Sequence, residues 1–326
     1  MKYRNLGWTN LRVSCLSLGG NIFGHFCNKK ESSTIIHTAR DLGINFIDTA
    51  DVYSEGISER FIGKSIQNHR HNWIIATKAG VRSGESSKRK GHKEHIFRKA
   101  EESLRRLGTD YIDVYQMHHF DTETPIEETL GALHSLVEQG KVRYVGVSNY
   151  SGRQLKQSLL LANSLDFATF SSIQSHYNLF KRKMENSIFP IAQEMKIGVI
   201  IYGTMARGIL AGKYQLGQGL PPKSRASTGI NIREDLTKTV LNTVANLSAF
   251  AESQGQTVGL LAIAWVLRKL EVSTVLIGVR NTSQLYANIG AVNWRLSKSE
   301  LVNIDNIMGN LEKFQSISLG SYPTSE

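Results

Sequence analysis

Cysteine is scarce in this chain: Cys15 and Cys27 are the only two in 326 residues. Two thiols cannot build a disulfide framework, and no His or Cys at metal-ligand spacing surrounds them, so no metal site is expected. They read as reduced thiols in a reducing compartment. Residues 1–7 lack the apolar core of a secretory signal, and the longest apolar run, Val258 to Leu267, is too short to span a bilayer. A cytoplasmic protein is expected, with no membrane partner. No Gly-x-Gly-x-x-Gly occurs anywhere. That excludes the usual phosphate turn of an open, doubly wound nucleotide-binding sheet.

Negative charge is also short, leaving a formal net charge of +11. The one dense basic cluster is Lys88-Arg89-Lys90, extended by Arg82 and Lys93. It has Ser and Gly neighbours and no interleaved aromatics, so nucleic acid is not expected. A solvated loop is the plain reading; a loop that draws in an anionic substrate or cofactor is the other.

What is present is ordinary globular material: 40% hydrophobic and 21% charged, long enough to bury a large core. Two alternating runs flank Gly7-Trp8-Thr9-Asn10 and predict a β-hairpin over residues 3–18. A beat of short apolar runs and amphipathic helices follows. Strands are expected at Asn45–Asp48, Trp73–Thr77, Tyr111–Met117, Val142–Val147, Ser172–Gln174, Gly198–Tyr202 and Ser273–Ile277. The helix before each is marked by 3.6-residue periodicity, as in Ile96, Phe97, Ala100, Leu104 and Leu107 before Gly108. Thr124-Pro125-Ile126-Glu127 reads as a capping box, and Ile188 to Met195 as one helix. Residues 203–234 are a long Gly-, Ser- and Lys-rich loop of the kind that carries function. Helices over 236–253, 257–269, 282–290 and 297–311 come last or near last, and the tail after about 315 is expected to be loosely ordered.

With Val13–Leu18 counted as the first barrel strand, eight strands alternate with helices. That predicts a single (β/α)8 barrel domain over 1–326, with an N-terminal hairpin and extra helices near the C-terminus. In such barrels the chemistry lies at the C-terminal strand ends. Those ends present Asp48 and Tyr53, Lys78, His118, Ser148 and Asn149, Gln174, Tyr202, and Gly278 with Arg280.

Asp48 ends a buried apolar run, where a carboxylate is costly unless paired. Lys78 is the expected partner. A carbonyl that accepts hydride becomes an alkoxide and needs a proton. Tyr53 can give one if its phenolate is stabilised, and a neighbouring ammonium does that. In this scheme Asp48 holds Lys78 charged and oriented. His118 donates a hydrogen bond to the oxygen as charge develops. His119 is its neighbour, and strand alternation lets only one of the two face the site.

These residues resemble the aldo-keto reductase superfamily, in the branch containing potassium-channel β subunits and many bacterial reductases. The likeness runs from Leu6 to about residue 310. It is carried by Asn45–Ala50, Ala76–Lys78, Tyr111–His118, Gly146–Asn149, and Gln174 with Tyr177 and Asn178. It implies an oxidoreductase that reduces a ketone or aldehyde, with Asp48, Tyr53, Lys78 and His118 as the catalytic tetrad and Tyr53 as proton donor. It also implies NADPH stretched across the barrel mouth. Ser148, Asn149 and Gln174 would hold the carboxamide, and Tyr202 would stack on the nicotinamide. The backbone from Met205 to Leu210, including Arg207 and Gly208, would wrap the pyrophosphate with Lys213. Gly278, Arg280, Gln284 and Asn288 would take the adenosine end, with Arg280 on the 2′-phosphate. Two positions depart from the family pattern: Gly203-Thr204-Met205 replaces Ser-Pro-Leu, and Ile277 replaces a Pro.

The substrate is expected to be a small carbonyl compound, with the basic loop hinting at an anionic one. Its specificity should lie in loops 82–93 and 213–233 and in wall residues such as Phe23, Val52 and Phe120. Monomer and homo-oligomer are both compatible with the sequence. Two other functions are compatible with the resemblance: a cofactor-binding regulatory or interaction protein with little turnover, and an enone C=C reductase. The latter is the less expected because it goes with loss of the histidine retained at His118.

Overall fold

The computed structural model describes residues 1–80, 90–222, 224, 226–227, 232–310 and 314. Arg82, Lys88 and Arg89 of the basic cluster, and the tail after 315, lie outside the described residues.

Eight parallel strands close into a barrel. In chain order these are β3 (Leu16–Gly19), β4 (Phe46–Asp48), β5 (Ile74–Ala79), β6 (Ile112–Met117), β7 (Val142–Ser148), β8 (Phe170–His176), β9 (Gly198–Tyr202) and β10 (Val272–Ile277). β10 closes the ring by pairing with β3, Val275 against Leu16. Ahead of the barrel, β1 (Tyr3–Asn5) and β2 (Arg12–Ser14) form an antiparallel hairpin with Arg4 opposite Val13. The expected first strand, Val13–Leu18, is therefore two strands. Its first half serves the hairpin and its second half the barrel, because Cys15 breaks the run between them.

Helices clothe the barrel: α1 (Lys29–Asp41), α2 (Ile57–Ile66), α3 (Lys93–Leu107), α4 (Ile126–Glu138), α5 (Gly152–Ser164), α6 (Met184–Ser187), α7 (Phe189–Glu194), α8 (Lys238–Ser253), α9 (Val258–Leu267), α10 (Thr282–Ile289) and α11 (Lys298–Met308). The expected helix Ile188–Met195 is α7, set off from α6 where Pro190 enters at the first turn and cannot continue an earlier helix. The Thr124 capping box does not form. Pro125 is the N-cap of α4, and the Thr124 hydroxyl instead donates to Asp121 Oδ2 at 2.8 Å. Asn28 with Glu31, Ser151 with Gln154, and Ser297 with Glu300 do form such boxes. The apolar run Val258–Leu267 is α9, a helix buried on every side except at Leu260. Among the described residues no helix is long and apolar enough to cross a membrane.

Strand periodicity sorts the core into two parts. Ile47, Ile75, Tyr115, Val145, Val147, Ile173, Val199, Ile201 and Val275 face the helices. The opposite parity, Phe46, Ala76, Val114, Ile200 and Leu276, fills the barrel interior and is plugged from below by Leu6, Leu11 and Val13 of the hairpin segment. Buried on both faces, such strands stabilise the fold by about 25 cal/mol for each Å² of apolar surface removed from water.

Candidate active site

The interior residues Phe46, Ala76, Val114 and Ile200 are each followed two positions later by a polar one, Ser172 on β8 begins the same pattern, and period-2 alternation aims both members of each pair into the barrel. Phe46 leads to Asp48, Ala76 to Lys78, Val114 to Gln116 and then His118, Ser172 to Gln174 and then His176, and Ile200 to Tyr202. An apolar floor thus carries a polar layer at the C-terminal mouth.

The layer centres on Asp48, which is 2% exposed. Its Oδ2 accepts from Lys78 Nζ at 2.6 Å. Its Oδ1 accepts from Gln174 Nε2 at 2.6 Å and Gln116 Nε2 at 3.3 Å. Three donors on one carboxylate meet the cost of burying its charge. Gly146 makes part of this possible: a Cβ there would lie 2.7 Å from Ser172 Oγ and 3.3 Å from the Gln116 side chain.

Lys78 is fully buried. Besides Asp48, its ammonium donates to the Thr49 carbonyl at 2.8 Å and the Tyr53 hydroxyl at 3.3 Å. Burial pulls the Lys78 pKa down, opposed first by Asp48 and then by Asp51 and Glu59. Tyr53 opens a tight turn in which Ser54, Glu55 and Gly56 all have positive φ, of 49°, 55° and 83°. Two non-glycine residues in the left-handed region mark a backbone held by its surroundings. Ser54 Oγ anchors the turn to the Phe23 carbonyl at 3.1 Å.

His118 approaches Tyr53 edge-on, with ring centroids 5.9 Å apart. Burial, then the charge of Lys78, push its pKa well below the ordinary histidine value. At neutral pH its ring is neutral: a hydrogen-bond donor, not a cation. His119 does not lie on the opposite face, as strand alternation would have it. The two imidazoles stack at 5.2 Å with an 8° interplanar angle. β6 ends at Met117, so the pleat no longer governs the pair.

Around this centre, Ser148 is buried. Asn149, at φ 58°, donates to Ser148 Oγ at 3.1 Å and to the His118 carbonyl at 3.0 Å. Tyr202 donates to Asn149 Oδ1 at 2.6 Å. Gln174, expected on the carboxamide, spends one amide hydrogen on Asp48. In the turn Ala206–Ala211, Gly208 and Leu210 turn their N–H groups onto the Met205 carbonyl at 2.7 and 3.2 Å. Those two amides are committed within the turn, so they do not point outward to wrap an anion. Lys213 Nζ lies 2.9 Å from the position a Cβ on Gly208 would take.

Near α10, the Arg280 guanidinium stacks 3.9 Å from the Phe26 ring centroid. Its backbone N–H donates to Gln284 Oε1 at 2.8 Å. Gly278 is exposed beside them, and Asn288 is half-buried on α10. Of the expected wall residues, Val52 is exposed and Phe120 packs against Tyr150. Phe23 is not a wall residue: its ring is fully buried in the outer core and offers no surface.

Gln116 lies inside the Tyr111–His118 motif without a role of its own, and no motif marks His176; parity with His118 and Gln174 is the sequence signal for both. No motif marks Asp51 as a site residue either. It is 8% exposed, 3.5 Å from Lys99 Nζ, and burial raises its pKa.

Comparison with known proteins agrees with this geometry. The aldo/keto reductase family model matches residues 15–308. Two plant proteins described as probable voltage-gated potassium channel subunits beta align over 302 residues, spanning 90% of this chain and 91% of theirs. They are 35% identical in Arabidopsis thaliana and 33% in Oryza sativa subsp. japonica. The solved structure of a glycerol dehydrogenase from Gluconobacter oxydans superposes with a TM-score of 0.81 at 30% identity, covering 94% of both chains. With a closed (β/α)8 barrel and a Lys–Asp pair buried at its mouth, the chain belongs to the aldo/keto reductase family of oxidoreductases.

Proposed function

We propose that the protein, one barrel domain over 1–326, is an NADPH-dependent carbonyl reductase acting in the cytoplasm on a small ketone or aldehyde. One observation carries this reading. The Lys78 ammonium joins the Asp48 carboxylate at 2.6 Å to the Tyr53 hydroxyl at 3.3 Å. Tyr53 then gives its proton to the substrate oxygen. Lys78 stabilises the phenolate left behind, and Asp48 keeps Lys78 charged and aimed. His118, neutral, donates a hydrogen bond to the same oxygen as its charge grows.

The residues present fit a phosphate-bearing nicotinamide cofactor. Gly208, lacking a Cβ, makes room for the Lys213 ammonium, and Arg207 in the same turn and Arg280 after β10 add guanidinium groups. Ser148, Asn149, Gln174 and Tyr202 would hold its nicotinamide end. Met205, Arg207 and Lys213 would hold the pyrophosphate, without the Gly208 and Leu210 amides that the turn itself uses, and Gly278, Arg280, Gln284 and Asn288 the adenosine. When bound, this cofactor supplies the hydride.

The test is Tyr53→Phe, followed by the absorbance of NADPH over a panel of carbonyl compounds. Loss of the proton donor lowers kcat by about 10²- to 10⁴-fold with NADPH binding retained. An undiminished rate would remove Tyr53 from its role. The two plant relatives favour a second reading, a cofactor-loaded partner of a channel with little turnover. NADPH oxidation that stops after one equivalent per chain would select it over steady reduction.

A further inference from the structure

His176 ends β8 and faces Tyr202 across the β8–β9 ladder. Their rings stack, with centroids 5.1 Å apart and planes 14° from parallel. Three neighbours decide how this imidazole is held.

Asn178 is fully buried. Its Oδ1 accepts from the backbone N–H groups of Phe180 at 2.9 Å and Lys181 at 3.1 Å. Its Nδ2 donates to the Gly203 carbonyl at 2.8 Å and lies 3.1 Å from His176 Nε2. Turning this amide over would set its NH2 against two N–H donors and its oxygen against a carbonyl. The orientation is therefore fixed, and Nδ2 must donate to Nε2. His176 Nε2 carries no proton, and the ring proton is on Nδ1.

Gly203 packs against the same edge of the ring. At φ 72°, a Cβ on it would lie 2.4 Å from His176 Cδ2 and 2.5 Å from Nε2. This accounts for one departure from the family pattern: the residue after Tyr202 is glycine where serine is usual, and the imidazole occupies the space a side chain would need. The far end of Tyr202 is pinned too, through Asn149 to the His118 carbonyl.

We propose that His176 is a positioning residue: a neutral, Nδ1-protonated imidazole, locked by Asn178 and seated over Gly203, that backs the Tyr202 ring and fixes its plane. Taken with the functional reading above, on which this last point rests, the plate His176 supports is the one that packs on the nicotinamide end of the cofactor. Burial first, then the cations Lys181 and Arg207, favour its neutral form over the opposing pull of the Gly203 backbone.

The experiment pairs a spectrum with a mutant cycle. Long-range ¹H–¹⁵N spectra of histidine-labelled wild-type protein, with His176→Gln for assignment, show a ring protonated on Nδ1 that does not titrate between about pH 8 and pH 5.5. NADPH affinity is then read by fluorescence. His176→Ala weakens it by about three- to ten-fold, the range set by loss of one aromatic stack. Gly203→Ala, which displaces the ring, does the same. In NADPH affinity the double variant is no worse than His176→Ala alone, because the methyl added at position 203 then enters vacated space; the strain of alanine at φ 72° is present with or without the imidazole and is read separately, as a loss of urea midpoint on adding Gly203→Ala to either background. A ring protonated on Nε2, a titration near the ordinary histidine value, or losses that add in the double variant would each overturn the proposal. Wild-type protein that binds neither NADPH nor NADH would instead refute the functional reading, and with it the role of the plate. Additive losses with NADPH binding intact would refute His176 alone.

Discussion

Replacing Lys78 by Met is the sharpest perturbation of this site. The ammonium is fully buried and its partner carboxylate nearly so, at 0% and 3% exposure. Removing one member of a buried pair leaves an uncompensated charge and costs about 3–5 kcal/mol. Gln116 and Gln174 still donate to Asp48 Oδ1, which keeps the cost within that range. An unfolding entropy of about 2.1 cal/mol/K per residue, taken over 326 residues, gives about 0.7 kcal/mol/K, so Tm falls by about 4–7 °C. Asp48→Asn combined with Lys78→Met removes both charges and recovers more than half of the loss, since the pair's net contribution is small beside the cost of breaking it.

The loss comes from the Asp48 charge left in the barrel interior without its partner. Scanning calorimetry of wild type, both single variants and the double variant at pH 7 measures all of these. A Lys78→Met protein as stable as wild type at pH 7 would refute the assignment of Asp48 as a buried anion held by Lys78. A double variant showing the sum of the single losses would do the same.

Other perturbations have equally definite outcomes. The His176 pKa is pushed down to about 4 by burial and by Lys181 and Arg207. The unfolded chain therefore binds the proton first, and His176's contribution to stability is full above about pH 6.5 and lost as pH falls toward 4. The shift corresponds to about 3 kcal/mol, and urea unfolding of wild type against His176→Phe across that window reads it as a flatter pH profile in the variant. Gly63 on α2 abuts the end of α3, where a Cβ would lie 2.2 Å from the Leu107 carbonyl oxygen. Gly63→Ala is expected to cost about 1–3 kcal/mol, seen as a lower urea midpoint at unchanged slope. Arg280→Ala raises the KM for NADPH by about ten- to a hundred-fold and leaves that for NADH nearly unchanged, as expected for a charge-assisted contact of about 1.5–3 kcal/mol. Steady-state kinetics with both cofactors checks it.

The alternation of short apolar runs with amphipathic helices determined the barrel, because each run can be satisfied only by burial on both faces and each helix by burial on one. The same reasoning placed Asp48, Lys78 and His118 at strand ends, and the cost of a buried carboxylate pointed to the lysine as its partner. Local patterns failed where a nearby competitor prevailed. Thr124 bonds to Asp121 rather than capping α4, Cys15 splits one expected strand into two, and His119 follows His118 because the strand has already ended. Phe23 turned inward to the outer core, which its place beside the site did not reveal.

Only the tertiary structure could decide the contacts between residues far apart in the chain. Gln174 and Gln116 share Asp48 across 126 and 68 positions, Asn149 pins Tyr202, and Asn178 sets the tautomer of His176. Such contacts are fixed by strand register and by which side chains leave room, as Gly146 and Gly203 do. A sequence states which residues face the barrel interior. The closure of the ring alone brings particular atoms within 3 Å of one another.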